Sequence, residues 1–206
     1  MFEAKKIRTL AQNIGALKNL YGDFSKAKRH DVEQCKNLFI KFARNIVGDD
    51  WQVVFPHCRY VFPAHSWSRA RSSGNDFKAM LKNTLPKTFL TLFAIGQISG
   101  VDLVELSSLW RPWGGTAHPG GFGIDIIQLG RIITARTTRA PEPEGLDYVR
   151  QAIWDAGLIS QWIGPWQVKL SETAPWHKNP ALSRQDKSVS AIYSQHVDHI
   201  HLTAKT

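Results

Sequence analysis

The chain of 206 residues lacks the features that mark several specialised classes of protein. Its two cysteines, Cys35 and Cys58, match neither a zinc-binding pair nor a disulfide framework, so we expect buried free thiols. No apolar run approaches the roughly 18–20 residues that a transmembrane helix requires, so no transmembrane segment is expected. No internal repeat and no low-complexity segment is found. These absences, with an ordinary composition of 43% hydrophobic and 21% charged residues, predict a globular protein with a substantial core.

The N-terminal residues do not form a secretory signal. Residues 1–8 begin basic, but Gln12, Asn13, Lys18 and Asn19 interrupt the apolar stretch that a signal peptide needs. We therefore expect a protein that is made in the cytoplasm without a signal peptide.

Acidic residues are few relative to basic ones. The chain has 17 Asp and Glu against 26 Lys and Arg, which gives a formal net charge of +9. Such a surface attracts polyanions, and both nucleic acid and the anionic bacterial cell wall qualify. Charge alone does not choose between them.

Side chains of the types that bind metals are concentrated in two segments of the chain. His118 and Asp125 stand seven residues apart with three glycines and Pro119 between them, which excludes a regular helix and predicts a turn leading into a strand. Near the C-terminus, strand periodicity predicts that His199 and His201 project from the same face. Two imidazoles and a carboxylate form a ligand set that suits zinc and leaves a fourth position for water.

A simpler interpretation exists for one of these segments. A single histidine in a glycine-rich loop, such as His118, is usually only a polar loop residue. Three histidines between residues 196 and 201 are harder to explain in this way, because burying neutral imidazoles without partners costs free energy.

The pattern H-x-x-G-x-x-x-D, followed far downstream by H-x-H, resembles the LAS group of zinc peptidases. This group includes lysostaphin-type enzymes, D-alanyl-D-alanine carboxypeptidases and penicillin-insensitive murein endopeptidases. His118, Gly121, Asp125 and His201 fall on the pattern in order, and the resemblance covers roughly residues 85–206.

Other residues are similar to individual branches of the group. The spacing H-x-x-H-x-H at residues 196–201 is most similar to the murein endopeptidase branch. Residues 107–112 resemble the S-G-Y-R segment of the carboxypeptidase branch, whose arginine, here Arg111, faces the substrate. Thr116 and Gly123 depart from the pattern, since the family usually has serine and alanine there.

The resemblance implies a zinc metallopeptidase that hydrolyses a peptide bond of bacterial peptidoglycan, in the stem peptide or the cross-link. It implies Zn²⁺ as the cofactor, with His118, Asp125 and His201 as its ligands. In such enzymes the metal polarises the scissile carbonyl and activates a water molecule, while a neighbouring base takes the proton.

Two residues compete for the role of the base. Asp198 stands three residues before the last ligand, where some branches of the family place a carboxylate. His199 stands two residues before it, as in the H-x-H branch. Strand alternation favours His199, because Asp198 would point away from the metal unless a bulge turned it. His196 suits the orientation of the substrate or of the base.

Two rival functions remain from the sequence. The chain could be a non-catalytic binding module that zinc stabilises, or a metal-dependent nuclease. Two-metal phosphodiester chemistry usually needs several clustered carboxylates, and few lie near the motif, so no specific nucleic acid partner is expected.

The expected partner is a peptidoglycan peptide, reached in the periplasm or the cell wall. Without a signal peptide, the protein would reach the wall by phage-mediated lysis, by a toxin-delivery apparatus or as a processed fragment of a longer chain. An immunity or delivery partner is compatible with such a route.

The predicted fold is α+β, with a small, mostly antiparallel sheet that carries the zinc site and helices that flank it. Strands at 101–108, 122–128 and 197–203 must be neighbours if the ligands are to meet. Residues 1–50 are predicted to be a helical extension packed on the core, and residues 51–206 the LAS-like peptidase domain. Apolar periodicity within 1–50 indicates helices at 4–21 and 31–46, the second capped by Asp31.

Several aromatic residues and histidines have no motif around them. Tryptophans near residue 170 line a substrate groove or close over the core, and the sequence favours neither. These tryptophans are Trp162, Trp166 and Trp176. His57 and His65 are interpreted as structural or surface residues, and His177 as a structural residue or a neighbour of the metal ligands.

Overall fold

The structure, a computed structural model, describes residues 24–64, 76–134, 142–166 and 196–206. Within these ranges the chain forms four α-helices and one mixed sheet of eight strands, which confirms the α+β class. The helix predicted at 4–21 lies outside the described residues, as do His65, Trp176 and His177.

The helices and strands alternate irregularly along the chain. A short 3₁₀ helix at Phe24–Lys26 precedes the first α-helix. The helices are α1 (Arg29–Phe42), α2 (Phe77–Asn83), α3 (Pro86–Ser99) and α4 (Leu146–Asp155). The strands are β1 (Arg44–Asn45), β2 (Trp51–Val54), β3 (Arg59–Phe62), β4 (Leu103–Ser108), β5 (Gly123–Leu129), β6 (Ile132–Ile133), β7 (Ile159–Ile163) and β8 (Ile200–Ala204).

The strands follow the order β1-β2-β3-β4-β5-β8-β7, and β6 pairs with the end of β5. All pairs are antiparallel except β3 with β4, so the sheet is mostly antiparallel but mixed. The parallel pair arises because α2 and α3 lie between these two strands in the sequence, and a helical crossover returns the chain in the same direction.

Strand β5 lies between β4 and β8, which confirms the prediction that the three strands carrying the motif are neighbours. The last strand begins at Ile200 and not at 197, so His199 lies in a bend before it. In this register Asp125 stands beside Ser108 of β4 and beside His201 of β8. The carboxylate of the motif therefore lies in the interior of the sheet, next to the histidine that follows it 76 residues later.

Helix α1 differs in its limits from the predicted 31–46 helix. It begins two residues earlier, and Asp31 occupies its first turn, where one carboxylate oxygen accepts a hydrogen bond from the backbone N–H of Lys28 at 2.9 Å. It ends at Phe42, because Arg44 and Asn45 pair with β2 instead of continuing the helix.

The domain boundary at residue 50 stays a prediction.

Helix α3 is the most deeply buried helix of the described chain. Pro86 starts it, where a missing backbone donor costs nothing, and Gly100 ends it with a φ of 63°. Buried residues line almost its whole length, and it packs against α1, α4 and the sheet. The thiols of Cys35 and Cys58 are free and buried in this core, as predicted.

Trp162 lies in β7 and is fully buried, so it belongs to the core and not to a groove. Trp166 is half-buried and also packs against the core.

Among the described helices, none has the length and apolar character needed to cross a membrane.

Candidate metal centre

His118, Asp125 and His201 converge on the three central strands. His118 lies in the loop before β5, Asp125 in β5 and His201 in β8. Their exposed fractions are only 3%, 4% and 7%. One nitrogen or oxygen atom from each lies within 4.8 Å of the others. A displacement of about an ångström would bring these atoms to the separation that one tetrahedral ion imposes, so the three residues can hold a metal ion.

The ring of His118 is oriented by the backbone. Its Nδ1 atom lies 2.6 Å from the carbonyl oxygen of Leu109, so the Nδ1–H group donates to this oxygen. The Nε2 atom then carries the lone pair and lies 3.1 Å from Oδ2 of Asp125. It is buried and has no hydrogen-bond partner among the described residues. A lone pair facing a carboxylate oxygen is unfavourable unless a proton or a metal ion lies between the two atoms, so this position can hold a metal ion.

The ring of His201 is oriented by a short chain of side chains. Its Nδ1 atom lies 2.6 Å from Oδ1 of Asp125, and its Nε2 atom lies 3.3 Å from the hydroxyl of Thr203. That hydroxyl donates its hydrogen to Oε1 of Gln161 at 3.0 Å. Because a carboxylate oxygen only accepts, the Nδ1–H group of the neutral ring donates to Asp125. A metal ion bound at Nδ1 would displace this proton, which can move to Nε2 and be accepted there by the Thr203 hydroxyl.

The protonation states of the buried pair suit metal binding. Burial alone would raise the pKa of the Asp125 carboxyl, but the imidazoles of His118 and His201 outweigh burial and hold this pKa well below its usual value. Burial lowers the pKa of His201, and the Asp125 carboxylate opposes this shift only in part. At neutral pH the centre thus contains an ionised carboxylate and a neutral imidazole, the forms that bind metals.

The glycines of the motif fasten the loop to helix α3. The carbonyl oxygen of Gly121 accepts hydrogen bonds from Leu85 N and from the Thr88 hydroxyl, both at 2.8 Å. A Cβ atom at Gly123 would lie 2.8 Å from Nδ1 of His118, so the imidazole packs directly on the backbone there. The sequence predicted a glycine turn but not its anchor, because Thr88 lies 33 residues earlier without a motif of its own.

The two candidates for the base lie just before β8, in the bend at residues 196–199. The Nε2 atom of His199 lies 3.6 Å from Oδ1 of Asp125, so this imidazole faces the centre. Asp198 contacts the Nδ1 atom of His199 through Oδ1 at 2.7 Å, and its side chain is 67% exposed. The structure therefore places His199 at the centre and Asp198 behind it.

Arg111 contributes a positive charge to the same carboxylate. Its Nη2 atom lies 3.6 Å from Oδ2 of Asp125, and its side chain is 22% exposed. Its Nε atom is buried and has no hydrogen-bond partner among the described residues. The guanidinium is therefore positioned between the buried candidate ligands and the solvent.

His196 completes the group of histidines. Its ring centroid lies 4.9 Å from that of His199 and 5.1 Å from that of His201.

The residues that orient the candidate ligands through hydrogen bonds, above all Leu109, Thr203 and Gln161, were not predicted from the sequence. A backbone carbonyl and two ordinary strand residues carry no sequence signal for this role.

No protein-family model, curated protein or solved structure matches the chain. The assignment of a function therefore depends on the geometry of this centre and on the motif that its residues form.

Proposed function

We propose that the chain is a zinc-dependent peptidase that hydrolyses a peptide bond of bacterial peptidoglycan. The observation that carries this proposal is the convergence of His118, Asp125 and His201, with Arg111 and His199 against the same carboxylate. Two nitrogen ligands and one oxygen ligand favour zinc over magnesium or calcium, which prefer oxygen alone.

When bound, zinc supplies a Lewis acid and lowers the pKa of a water molecule to about 7. His199 is the proton acceptor for the attacking water, because its Nε2 atom faces the centre and its side chain is 17% exposed, within reach of a substrate. Asp198 accepts the Nδ1–H of His199, which leaves the lone pair on Nε2. The carboxylate also stabilises the imidazolium that forms after proton transfer.

Arg111 has two uses in this reaction. Its partly exposed guanidinium can bind a carboxylate of the stem peptide, and its charge stabilises negative charge that develops on the scissile carbonyl oxygen. Both uses follow from its position beside Asp125, on the accessible side of the centre.

The choice of peptidoglycan as the substrate is supported by the resemblance of the H-x-x-G-x-x-x-D and H-x-H motifs to the LAS peptidases. The net charge of +9 supports attraction to the anionic polymers of the wall. We place the site of action in the periplasm or the cell wall, reached after delivery or lysis.

The direct test is digestion of purified peptidoglycan by the zinc-loaded protein, with mass spectrometry of the fragments and of their new amino termini. The unaltered chain is expected to release fragments, as is the control His30→Ala, whose histidine is exposed on α1. His118→Ala and Asp125→Asn are expected to lose the tightly bound zinc and the activity.

Two other results would contradict the proposal. Stoichiometric zinc without turnover of any peptidoglycan would favour a binding module stabilised by the metal. Release of nucleotides from nucleic acid, together with intact peptidoglycan, would favour a nuclease.

A further inference from the structure

A second group of possible metal ligands lies beside the first. His196, His199 and His201 each offer a ring nitrogen, and these nitrogens lie within 4.8 Å of one another. His201 belongs to both groups. His196 and His199 are half-buried and His201 is buried, so this group opens towards the solvent.

Three adjacent imidazoles are suited to binding a particular class of metal cation. Imidazole nitrogen suits zinc, copper and nickel, whereas magnesium and calcium prefer oxygen. Protonation of all three rings at this separation would place like charges together, while coordination of one cation uses the three lone pairs at once. The half-buried position also leaves room for water to complete the coordination shell.

We propose that His196, His199 and His201 form a second, weaker site for a divalent transition-metal cation. It is weaker than the first because it has no carboxylate to neutralise the charge of the ion. In addition, the Nδ1 atom of His201 is already directed at Asp125. When the first site is filled, the second ion keeps His196 and His199 and completes its shell with water.

Occupation of the second site has a consequence for catalysis, which rests on the function proposed above. The ion uses the lone pair of His199 that would otherwise accept the proton of the attacking water. Zinc in excess of the first equivalent therefore inhibits the enzyme, while the first equivalent activates it.

The binding test is a calorimetric titration of the metal-free protein with Zn²⁺ alone. The unaltered chain and the control His30→Ala are expected to show a tight event and a weaker one. His196→Ala should retain the tight event and weaken the other by 10-fold or more. Asp125→Asn should lose the tight event and retain zinc binding through the three imidazoles.

Two binding results would overturn the second site. These are a single event in the unaltered chain that His196→Ala leaves unchanged, or an Asp125→Asn protein that is folded and binds no zinc. Circular dichroism of each variant checks folding, and His196→Gln replaces His196→Ala if the smaller side chain disturbs the bend.

The inhibition test is separate. Turnover by the unaltered chain should fall as free zinc rises beyond the first equivalent, and His196→Ala should resist this fall relative to its own maximal rate. Equal inhibition of both proteins would overturn the inhibitory role. Because the titration needs no substrate, two binding events in a protein that cleaves no peptidoglycan would refute the proposed function and leave the second site standing.

Discussion

The Nδ1 atom of His199 lies 2.7 Å from the Oδ1 atom of Asp198, while the Nε2 atom of the same ring lies 3.6 Å from Asp125. The imidazole thus connects an exposed carboxylate with a buried one. Asp198 contacts His199, and His199 faces the candidate metal centre, so Asp198 affects the centre only indirectly. Substitution of His199 is therefore expected to have the larger effect on activity.

His199→Ala is expected to keep the tightly bound zinc and to lose about 10²–10⁴ in turnover, the usual contribution of a general acid–base group. Asp198→Asn should lose less, because it only affects the orientation and charge of the imidazole. Release of amino termini from peptidoglycan measures the rates, and metal analysis measures the zinc. A nearly inactive Asp198→Asn beside an active His199→Ala would make the aspartate the base.

Gly121→Ala is expected to destabilise the protein by about 1–3 kcal/mol. The φ of Gly121 is +79°, and an added Cβ atom would lie 2.3 Å from the carbonyl oxygen of Asn83, which is backbone and cannot rotate away. Gly115→Ala is the matched control, since a Cβ atom there meets no heavy atom within 4 Å. Urea unfolding measures both, and equal midpoints would show that the loop adapts freely.

Thr203→Val is expected to weaken zinc binding by about 10-fold or more, because His201 must carry its hydrogen on Nε2 when Nδ1 binds zinc, and this Nε2–H group would lose its acceptor. Competition with a chelator of known affinity measures this change. Ser160→Ala is the control, because its exposed hydroxyl donates to the backbone carbonyl oxygen of Thr203 at 3.4 Å and not to the Thr203 side chain. Unchanged affinity in Thr203→Val would mean that packing alone orients the imidazole.

The stability of the protein is expected to fall as the pH is lowered from 6.5 to about 4. Burial lowers the pKa of His57 from 6.5 to about 4. Between these two pH values the imidazole is protonated in the unfolded chain and neutral in the folded chain. The free energy of unfolding therefore decreases with falling pH and is highest above 6.5.

Urea unfolding of the unaltered chain and of His57→Gln at several pH values tests this effect. The variant should show a shallower fall, although not a flat line, because burial also lowers the pKa of His201. Identical slopes in the two proteins would exclude His57 as a contributor.

The sequence was sufficient for the parts of the site that depend on local chemistry. Glycines around His118 imply a turn whatever the rest of the chain does. The alternation predicted for His199 and His201 does not apply, because β8 begins at Ile200 and His199 faces the centre from the bend before it. The adjacency of the three motif strands also followed, because separated ligands could not share an ion.

Interactions over long distances in the sequence were not predictable. Thr88 anchors Gly121 from 33 residues away, and the hydroxyl of Thr203 meets Gln161 from 42 residues away. Neither residue carries a motif, because any hydroxyl or amide at the right place in space would serve. The parallel pairing of β3 with β4 likewise depends on how α2 and α3 pack.

By itself, the sequence identified three side chains that could hold a metal ion, His118, Asp125 and His201, and a turn and strands that could present them. It also determined the free thiols and the basic surface, since both follow from composition. Only the tertiary structure decided which nitrogen of each imidazole faces Asp125 and whether His199 or Asp198 meets the centre. It also decided that Trp162 belongs to the core. These choices depend on hydrogen bonds and packing between segments that are distant in the chain, and such contacts exist only after the chain has folded.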